Sequence, residues 1–307
     1  SGQSLGSGLH SFGWDGRDSL AQTAIDGRYT CYVDGEQSAA VESGFGVTVT
    51  IPEMSRSWFL AEGSTVGFEA YVLVQNPHAS SNLVTVTFFK QDGTTKVYQE
   101  TVLPQARTTV PIHGQLPGVY SVSTRIEAEL PVVVERAMYF NPGSSGNEAA
   151  HNSIGSTTTG KTWYFPVNRT FSGDEDFILL VNPSEQHTAN ITARFLTQNE
   201  APVTRSYQVA PTSRFTIAVH GEVWGQRVSV EVVSDQPIAA ERAYYFSNRK
   251  GGASGIGAAS PSLTWYFADG DTLNASTYLD LMNPGNLNAS VSVQYHLETG
   301  QTVTRNH

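Results

Sequence analysis

The chain has 307 residues, of which 39% are hydrophobic and only 15% are charged, and its formal net charge is −10. No run of Lys or Arg supplies the cationic patch that nucleic-acid phosphates or an anionic membrane surface require, so both partners are disfavoured. The 28 glycines and 14 prolines, with abundant Thr, Val and Asn, are typical of a β-rich chain with many turns and not of a disordered chain.

The first segment, residues 1–52, is predicted to form three short strands around two glycine turns, too few to enclose a core. It contains the motifs WDGRD at Trp14–Asp18 and DGRYT at Asp26–Thr30. These motifs resemble the end of the immunoglobulin-like module of the flagellar hook-capping protein and of many bacterial surface proteins. Leu20–Ala21 replaces the usual Gly of that family, and its first strands have no counterpart here. The resemblance implies the C-terminal part of such a module.

Residues 53–307 contain an internal repeat of about 100 residues. Several independent motifs recur in one register, which makes the repeat a strong signal. The motifs are the aromatic runs at Trp58, Trp163 and Trp265, the Asn-Pro turns at Asn76, Asn182 and Asn283, and the Glu-Arg-Ala runs at Glu135 and Glu241. The repeat predicts three consecutive units, residues 53–156, 157–259 and 260–307.

Each unit is predicted to be a β-sandwich, because the hydrophobic period within the copies is two. Leu83–Phe89 and Arg227–Val233 alternate apolar and polar residues, and glycine or Asn-Pro turns separate such runs. In the first copy, seven strands are expected near Trp58, Tyr71, Val86, Val97, Thr109, Val122 and Val134. Seven short strands in about 100 residues are the pattern of an immunoglobulin-like sandwich. We therefore predict an all-β rod of tandem immunoglobulin-like β-sandwiches.

The third copy contains only the first half of this pattern, with strands expected near Tyr266, Leu279, Val293 and Val303. Incomplete modules at both ends leave strand edges unpaired, and two explanations stay open. Either the chain is a fragment of a longer protein, or a strand from a neighbouring subunit completes the half-sandwich. Val47 and Val49 lie in an alternating run that suits such donation, which would generate head-to-tail filaments.

The three units also resemble a bacterial family of unknown function with Trp-Tyr-Phe-Ala-Glu-Gly, Asn-Pro and Glu-Arg-Ala-Met-Tyr-Phe motifs. Glu62–Gly63 and Asp269–Gly270 fit the Ala-Glu-Gly position, and Pro166–Val167 does not. Such repeats occur in large exported proteins of Gram-positive and related bacteria, so the resemblance implies an extracellular modular chain and no particular reaction. The single cysteine, Cys31, suits an oxidising exterior, and no apolar run is long enough to span a membrane.

The recurring tryptophans Trp58, Trp163 and Trp265 are predicted to pack inside their units or against the preceding unit. Aromatic residues that recur on a strand are mostly core or inter-domain residues, because their large apolar surface favours burial. A surface on which glycans stack is the alternative interpretation.

Two Glu-Arg pairs, Glu135–Arg136 and Glu241–Arg242, lie in the middle of apolar runs. Neighbours on a strand face opposite ways, so one member of each pair should point inward or into a module junction. A buried charge must be paired, and the arginines that match between the copies are the expected partners. The sequence thus predicts that Arg107 meets Glu135 and that Arg214 meets Glu241. A catalytic carboxylate is the alternative interpretation, but catalysis usually needs a second acid or base in a concave site.

Acidic residues also cluster in the loop after the first strand of the second and third copies, namely Asp174, Asp176, Asp269 and Asp271. Loop carboxylates can hold Ca²⁺, but the spacing is not that of an EF-hand, and the first copy has only Glu62 there. Solvated acids are the favoured interpretation. The sequence contains no metalloprotease, nucleophile-elbow, P-loop or dinucleotide motif, so we expect no catalytic residue and no cofactor.

Together these patterns predict a non-enzymatic, extracellular structural or adhesive protein of a bacterial cell surface. Its expected partners are copies of itself or neighbouring modules of a longer chain, with glycans as a further candidate. A carbohydrate-binding module array of a larger exported enzyme and an appendage assembly scaffold are the alternatives. Exposed aromatic residues in a groove would favour the carbohydrate-binding array.

Overall fold

The computed structural model describes residues 54–140, 149–197, 200–267, 278–297 and 301–306. Apart from Tyr266 and Phe267, these residues belong to one compact unit of the chain, residues 51–265 with 271–307. The expectations for residues 1–52, including Cys31 and the strand-donor valines Val47 and Val49, lie outside the described residues.

Antiparallel β-strands build the described chain, which confirms the predicted all-β class. Module 1 consists of β1 (Ser55–Leu60), β2 (Phe68–Asn76), β3 (Asn82–Lys90), β4 (Thr95–Val102), β5 (Ala106–Pro111), the single-turn helix α1 (Ile112–Gln115), β6 (Val122–Phe140) and β7 (Ala149–Ile154). Module 2 consists of β8 (Gly160–Arg169), β9 (Glu175–Asn182), β10 (Ala189–Thr197), β11 (Val203–Val209), β12 (Ser213–Ala218), α2 (Val219–Glu222), β13 (Arg227–Phe246) and β14 (Gly251–Ile256).

The two modules have the same strand order. In module 1 the order is β4-β3-β6-β2-β5, and β1 and β7 also pair with β6. In module 2 the order is β11-β10-β13-β9-β12, and β8 and β14 also pair with β13. Both strand sets fall inside the unit boundaries expected from the sequence, while the immunoglobulin-like connectivity stays a prediction.

One long strand organises each module, β6 with 19 residues and β13 with 20. The first half of β6 pairs with β1 and β3, and its second half pairs with β2 and β7. The separate strands expected near Val122 and Val134 are therefore one strand, and β7 is the seventh. The strand changes partners around Pro131, which has no N–H for a ladder hydrogen bond, so the chain passes from one half of the module to the other without a loop.

Each module has a buried apolar core to which strands of both its halves contribute, as the alternating pattern predicts. In module 1 it includes Trp58, Val72, Val86, Phe88 and Ile126. The corresponding residues of module 2 are Trp163, Ile178, Ala193, Phe195 and Val232. Because both modules bury the same positions, the inner faces of their sheets are equivalent, and the differences between the modules lie elsewhere.

The Asn-Pro motif has a structural role that the sequence analysis does not identify. The buried Asn76 ends β2, and its Nδ2 donates to the carbonyl oxygens of Ser80, Val102 and Leu103 at 2.8, 3.1 and 3.0 Å. Asn182 donates to three carbonyl oxygens in the same way in module 2. A buried amide that satisfies three carbonyls fixes the turn that follows the strand.

The third copy differs from the two modules. Its described strands, β15 (Ser292–His296) and β16 (Thr302–Asn306), form a two-stranded sheet. The strands expected near Tyr266 and Leu279 are irregular instead. In modules 1 and 2 the corresponding strands pair with β6 or β13, and the described residues of the third copy form no such long strand, so these segments have no ladder partner.

Candidate functional site

A group of charged side chains is buried where module 2 meets module 1. Arg136 on β6 lies between two carboxylates, because its Nη2 donates to Glu62 Oε2 and its Nη1 donates to Glu241 Oε2, both at 2.6 Å. The side chains of Arg136, Glu62 and Glu241 are 0%, 3% and 1% exposed. Glu241 lies on β13, so these ion pairs join the two modules. We call Glu62, Arg136 and Glu241 the junction triad.

Glu62 is placed by the chain that follows β1. Its backbone N–H donates to Glu241 Oε2 at 2.7 Å, and its carbonyl oxygen accepts from Arg136 Nη1 at 3.2 Å. The next residue must be glycine, because a Cβ on Gly63 would lie 2.7 Å from the carbonyl oxygen of Val122. The Ala-Glu-Gly motif therefore brings the backbone close to β6 while it presents a carboxylate to the next module.

A second buried arginine, Arg214 on β12, crosses the same junction. Its Nε donates to Ser123 Oγ at 3.1 Å, and its Nη2 donates to the carbonyl oxygen of Ala61 at 3.4 Å, both in module 1. The predicted pairing of Arg214 with Glu241 is wrong, since Glu241 accepts from Arg136. Because β9 lies between β12 and β13, the backbones of the two residues are about two strand spacings, roughly 10 Å, apart. The guanidinium group of Arg214 donates to Ser123, Thr216 and Ala61 instead of to Glu241.

Tyr245 and His151 complete the polar network. Tyr245 Oη donates to Glu62 Oε1 at 2.6 Å, and His151 Nε2 lies 3.2 Å from Tyr245 Oη and 3.6 Å from Glu62 Oε1. Ser254 Oγ lies 3.0 Å from His151 Nδ1 and accepts from Arg136 Nη2 at 3.3 Å. Each member of the junction triad thus has several hydrogen-bond partners, and this multiplicity makes a buried polar network rigid.

The charges of this network balance. Burial raises the pKa of Glu241, but the two donors on its Oε2 favour the ionised form. Burial alone would lower the pKa of Arg136, yet the attraction of Glu241 and Glu62 raises it. Burial lowers the pKa of Arg214 to about 10 and lowers that of His151, which is therefore neutral at pH 7. Two carboxylates and two guanidinium groups then cancel.

Apolar side chains of both modules surround the junction triad. They are Phe59, Ala61, Phe89 and Phe140 from module 1 and Leu179, Val181, Ala239, Ala243 and Tyr245 from module 2. The rings of Phe140 and Tyr245 meet edge to face, with their centroids 5.2 Å apart. Because these groups exclude water, the ion pairs are screened less than surface pairs would be.

The tryptophans predicted to pack do not all have the same environment. Trp58 and Trp163 are 1% and 2% exposed, and their Nε1 atoms donate to the carbonyl oxygens of Val132 and Ile238 at 3.0 and 3.1 Å. Both rings belong to the core of their own module. Trp265 is 55% exposed, in the copy whose early segments have no ladder partner among the described residues.

The two Glu-Arg pairs also differ between the modules. Glu135 and Arg107 are exposed on the outer face of module 1, and no ion pair joins them in the part of the chain that the structure describes, so the predicted pairing is wrong there too. Glu241, which is the residue of module 2 equivalent to Glu135, is buried in the junction. Arg242 pairs inside module 2, where its Nη2 donates to Asp176 Oδ2 at 2.8 Å.

The two described acids considered for calcium lie against arginines. The expectation of a solvated loop acid is wrong for Asp176, because it lies on β9 and is buried beside Arg242. Asp174 Oδ2 is 3.5 Å from Arg169 Nε, and Asp176 is fully buried, with a pKa that burial raises to about 6. Asp269 and Asp271 lie outside the described residues. Within the described ranges, no three His, Cys, Asp or Glu side chains are grouped so that they could hold a metal ion. No helix of those ranges has the length and hydropathy needed to cross a membrane.

Sequence reasoning misses three members of the buried network. It treats Glu62 as a loop acid and assigns no role to His151 or Tyr245. One signal is available in the repeat itself: the position of Glu62 carries Val167 in module 2 but Asp269 in the third copy, so the carboxylate varies between copies and is not required by the loop itself.

No protein-family model matches the sequence, and no curated protein sequence matches it either. Similar chains among solved structures include one titled "Crystal Structure of Thermotoga maritima 1070", with 17% identity and a TM-score of 0.32 over 34% of this chain and 95% of that chain. The Anabaena sensory rhodopsin transducer has 20% identity and a TM-score of 0.25 over 27% of this chain and 87% of that chain. At these TM-scores the likeness does not bear on fold or function.

Proposed function

We propose that this chain is a non-enzymatic structural or adhesive protein of a bacterial cell surface, in which β-modules are joined end to end into a stiff rod. The observation that carries the proposal is the junction triad, in which a buried arginine of module 1 holds a buried carboxylate of module 2. The two carboxylates and both Nη atoms of Arg136 are engaged with one another and are buried, so they do not face a substrate. They hold two modules at a fixed angle.

The third copy supports the same arrangement. Its Tyr278 and Asp280 stand at the positions of Phe177 and Leu179 of module 2, counted from the Asn-Pro motif. Arg227 of module 2 lies over the ring of Tyr278, 4.9 Å from its centroid, and its Nη1 is 3.9 Å from Asp280 Oδ1. The strand position that packs on module 1 in one junction thus packs on module 2 in the next, as a repeating stack requires.

A distance measurement between spin labels tests the stiffness. Labels are attached at Val97→Cys in module 1 and Val233→Cys in module 2, both exposed positions, in a chain that carries Cys31→Ser. We expect one narrow distance distribution for the wild-type junction, and a broader one when Arg136→Met removes the central charge. A broad distribution in the presence of the intact triad would contradict the rod.

The cellular part of the proposal needs a separate measurement. A membrane-impermeant biotin reagent, applied to intact cells of the native host, should label this protein, while a cytoplasmic control protein stays unlabelled. Protection of the protein until the cells are lysed would overturn the surface location and leave the stiffness of the junction unaffected.

A further inference from the structure

The outer sheet face of module 1, formed by β2, β5 and β6, corresponds to the face of module 2 that packs against module 1. The correspondence is fixed by register, because β5 and β6 flank β2 as β12 and β13 flank β9. The polar groups of the face are the same in both modules: Glu135, Arg107 and Tyr139 in module 1 stand where Glu241, Arg214 and Tyr245 stand in module 2. The leucine, threonine and alanine between them are identical too.

The two faces differ in what covers them. In module 2, Glu241 and Tyr245 are 1% and 5% exposed because the end of module 1 lies on them. In module 1, Tyr139 is 42% exposed and Glu135 and Arg107 are exposed. Part of the face, lined by Arg107 and Tyr139 among others, is an open and shallow depression. If these positions served only to face solvent, any polar residue would be suitable there. The same Glu, Arg and Tyr therefore indicate the same kind of contact and not mere solubility.

We infer that this outer face of module 1 is a docking surface for the end of another module of the same repeat type. The occupant must supply a guanidinium group for Glu135 and a carboxylate for Tyr139, as Arg136 and Glu62 do for Glu241 and Tyr245 in the junction that exists. This inference rests on the proposed function, since it extends the stack by one module.

The chemistry of the occupant can be narrowed further. The end of module 2 does not fit, because Val167 stands at the position of Glu62 and Arg242 is already neutralised by Asp176. The end of module 1 of a second chain fits in composition, but module 2 covers it. The occupant is thus a module that carries both the Ala-Glu-Gly carboxylate and an arginine without a carboxylate of its own.

The test uses an extended chain, in which a copy of residues 53–156 is inserted before residue 53 of the full sequence. The end of the inserted module then faces Glu135 of the original module 1. Glu135→Arg should lower the melting temperature of the extended chain by more than about 5 °C, and that of the 307-residue chain by less than about 1 °C. Arg136→Glu in the inserted copy should restore most of the loss, because the charges are then exchanged and paired again.

A second readout does not depend on stability. Ala137 is half-buried in module 1, whereas its equivalent Ala243 is 1% exposed in the junction. In chains with Cys31→Ser, Ala137→Cys should react with a maleimide at least about tenfold more slowly in the extended chain than in the 307-residue chain.

Two results would overturn the docking surface. Equal melting shifts in the two chains, together with equal maleimide rates, would mean that no module occupies the face. Binding of soluble oligosaccharides that Tyr139→Ala abolishes, without protection of Ala137→Cys in the extended chain, would identify a carbohydrate platform instead. Neither result touches the spin-label distance between modules 1 and 2, so failure here is distinguishable from failure of the rod.

Discussion

Arg136 and Arg242 occupy the same position of the repeat but neutralise their charge in different ways. Both follow the glutamate of the Glu-Arg-Ala motif, and their side chains are 0% and 13% exposed. Arg242 is paired within its own module, since Asp176 on the neighbouring strand accepts from its Nε and Nη2. That ion pair neutralises the arginine within module 2, so Arg242 needs no partner from another module.

Module 1 has no such internal partner for its arginine on the neighbouring strand, because Ala70 stands at the position of Asp176. Arg136 therefore depends on Glu62 at the end of its own module and on Glu241 of the next module. Two differences between the modules, Ala70 for Asp176 and Glu62 for Val167, thus accompany the change from an arginine that stabilises one module to one that couples two. The difference teaches that repeats with one fold can differ in how firmly they are joined.

The largest expected effect comes from removing the shared arginine. Arg136→Met leaves Glu62 and Glu241 buried, close together and without the one cation that contacts both of them, so the free energy of unfolding should fall by about 3–5 kcal/mol. Urea unfolding followed by hydrogen exchange, resolved by module, should show that modules 1 and 2 no longer unfold together.

Arg242→Met is the matched control. It should affect module 2 alone, and its cost should shrink near pH 5, because burial raises the pKa of Asp176 to about 6 and the carboxyl can then take up a proton. Unfolding of both modules in one transition after Arg136→Met would contradict the coupling role.

A double-mutant cycle sharpens the assignment of partners. Glu241→Gln combined with Arg136→Met should give a coupling energy of about 1–3 kcal/mol, because the two side chains are in direct contact. The same glutamine combined with Arg214→Met should give a smaller value, since Arg214 donates to neutral oxygens of Ser123 and Ala61. Equal coupling energies in the two cycles would mean that Glu241 interacts with both arginines alike and has no single partner.

The sequence is informative about the sheets because their pattern is local. Alternation along Leu83–Phe89 places one face on a core whatever the partner strand is, and this run is part of β3. It is less informative about where a strand ends, because β6 exchanges its partners around Pro131 without leaving the extended conformation. A change of partner leaves no trace in hydrophobic period.

The partners in the site are predicted less well because they depend on how modules stack. Aligned copies suggest equal environments for Glu135 and Glu241, yet only Glu241 has a neighbouring module on it. The repeat does identify the Glu-Arg motif as a place where charge is buried. Which arginine pairs with Glu241 depends on the contacts between modules. The spacing of residues in the sequence alone could not show that this partner is Arg136 and not Arg214.

The change in stability with pH at the junction should be smaller than the effects of the substitutions at Arg136 and Glu241, and it should follow the titration of His151. Burial lowers the pKa of His151 from its ordinary 6.5, the charge of Arg136 lowers it further, and Glu62 opposes this shift. A group whose pKa is lower in the folded state contributes stability above pH 6.5 and loses it as the pH falls through the folded-state pKa. The free energy of unfolding should therefore decrease below pH 6.5, and His151→Gln should flatten this decrease.

Asp176 serves as an internal contrast, because its pKa shift has the opposite sign. Its contribution is fully present below its ordinary pKa of 3.8 and is lost as the pH rises through about 6. Amides of module 2 far from the junction should report this trend, while amides beside His151 report the other. The same pH trend at both places would contradict the assignment of the two groups.

The smallest expected effect concerns the exposed member of the comparison. Glu135→Gln in the 307-residue chain should change the free energy of unfolding by no more than about 0.5 kcal/mol, because the side chain lies on the open face of module 1. Glu241→Gln, at the equivalent position, removes a charge that accepts from Arg136 and should cost about 1–3 kcal/mol. Since the two substitutions are chemically identical, the difference between their costs measures the contribution of the neighbouring module to stability.

A cost at Glu135 as large as that at Glu241, measured at a concentration where the chain is monomeric, would mean that the glutamate stabilises the fold of its own module. A cost that grows with protein concentration would mean that the open face already takes up another chain.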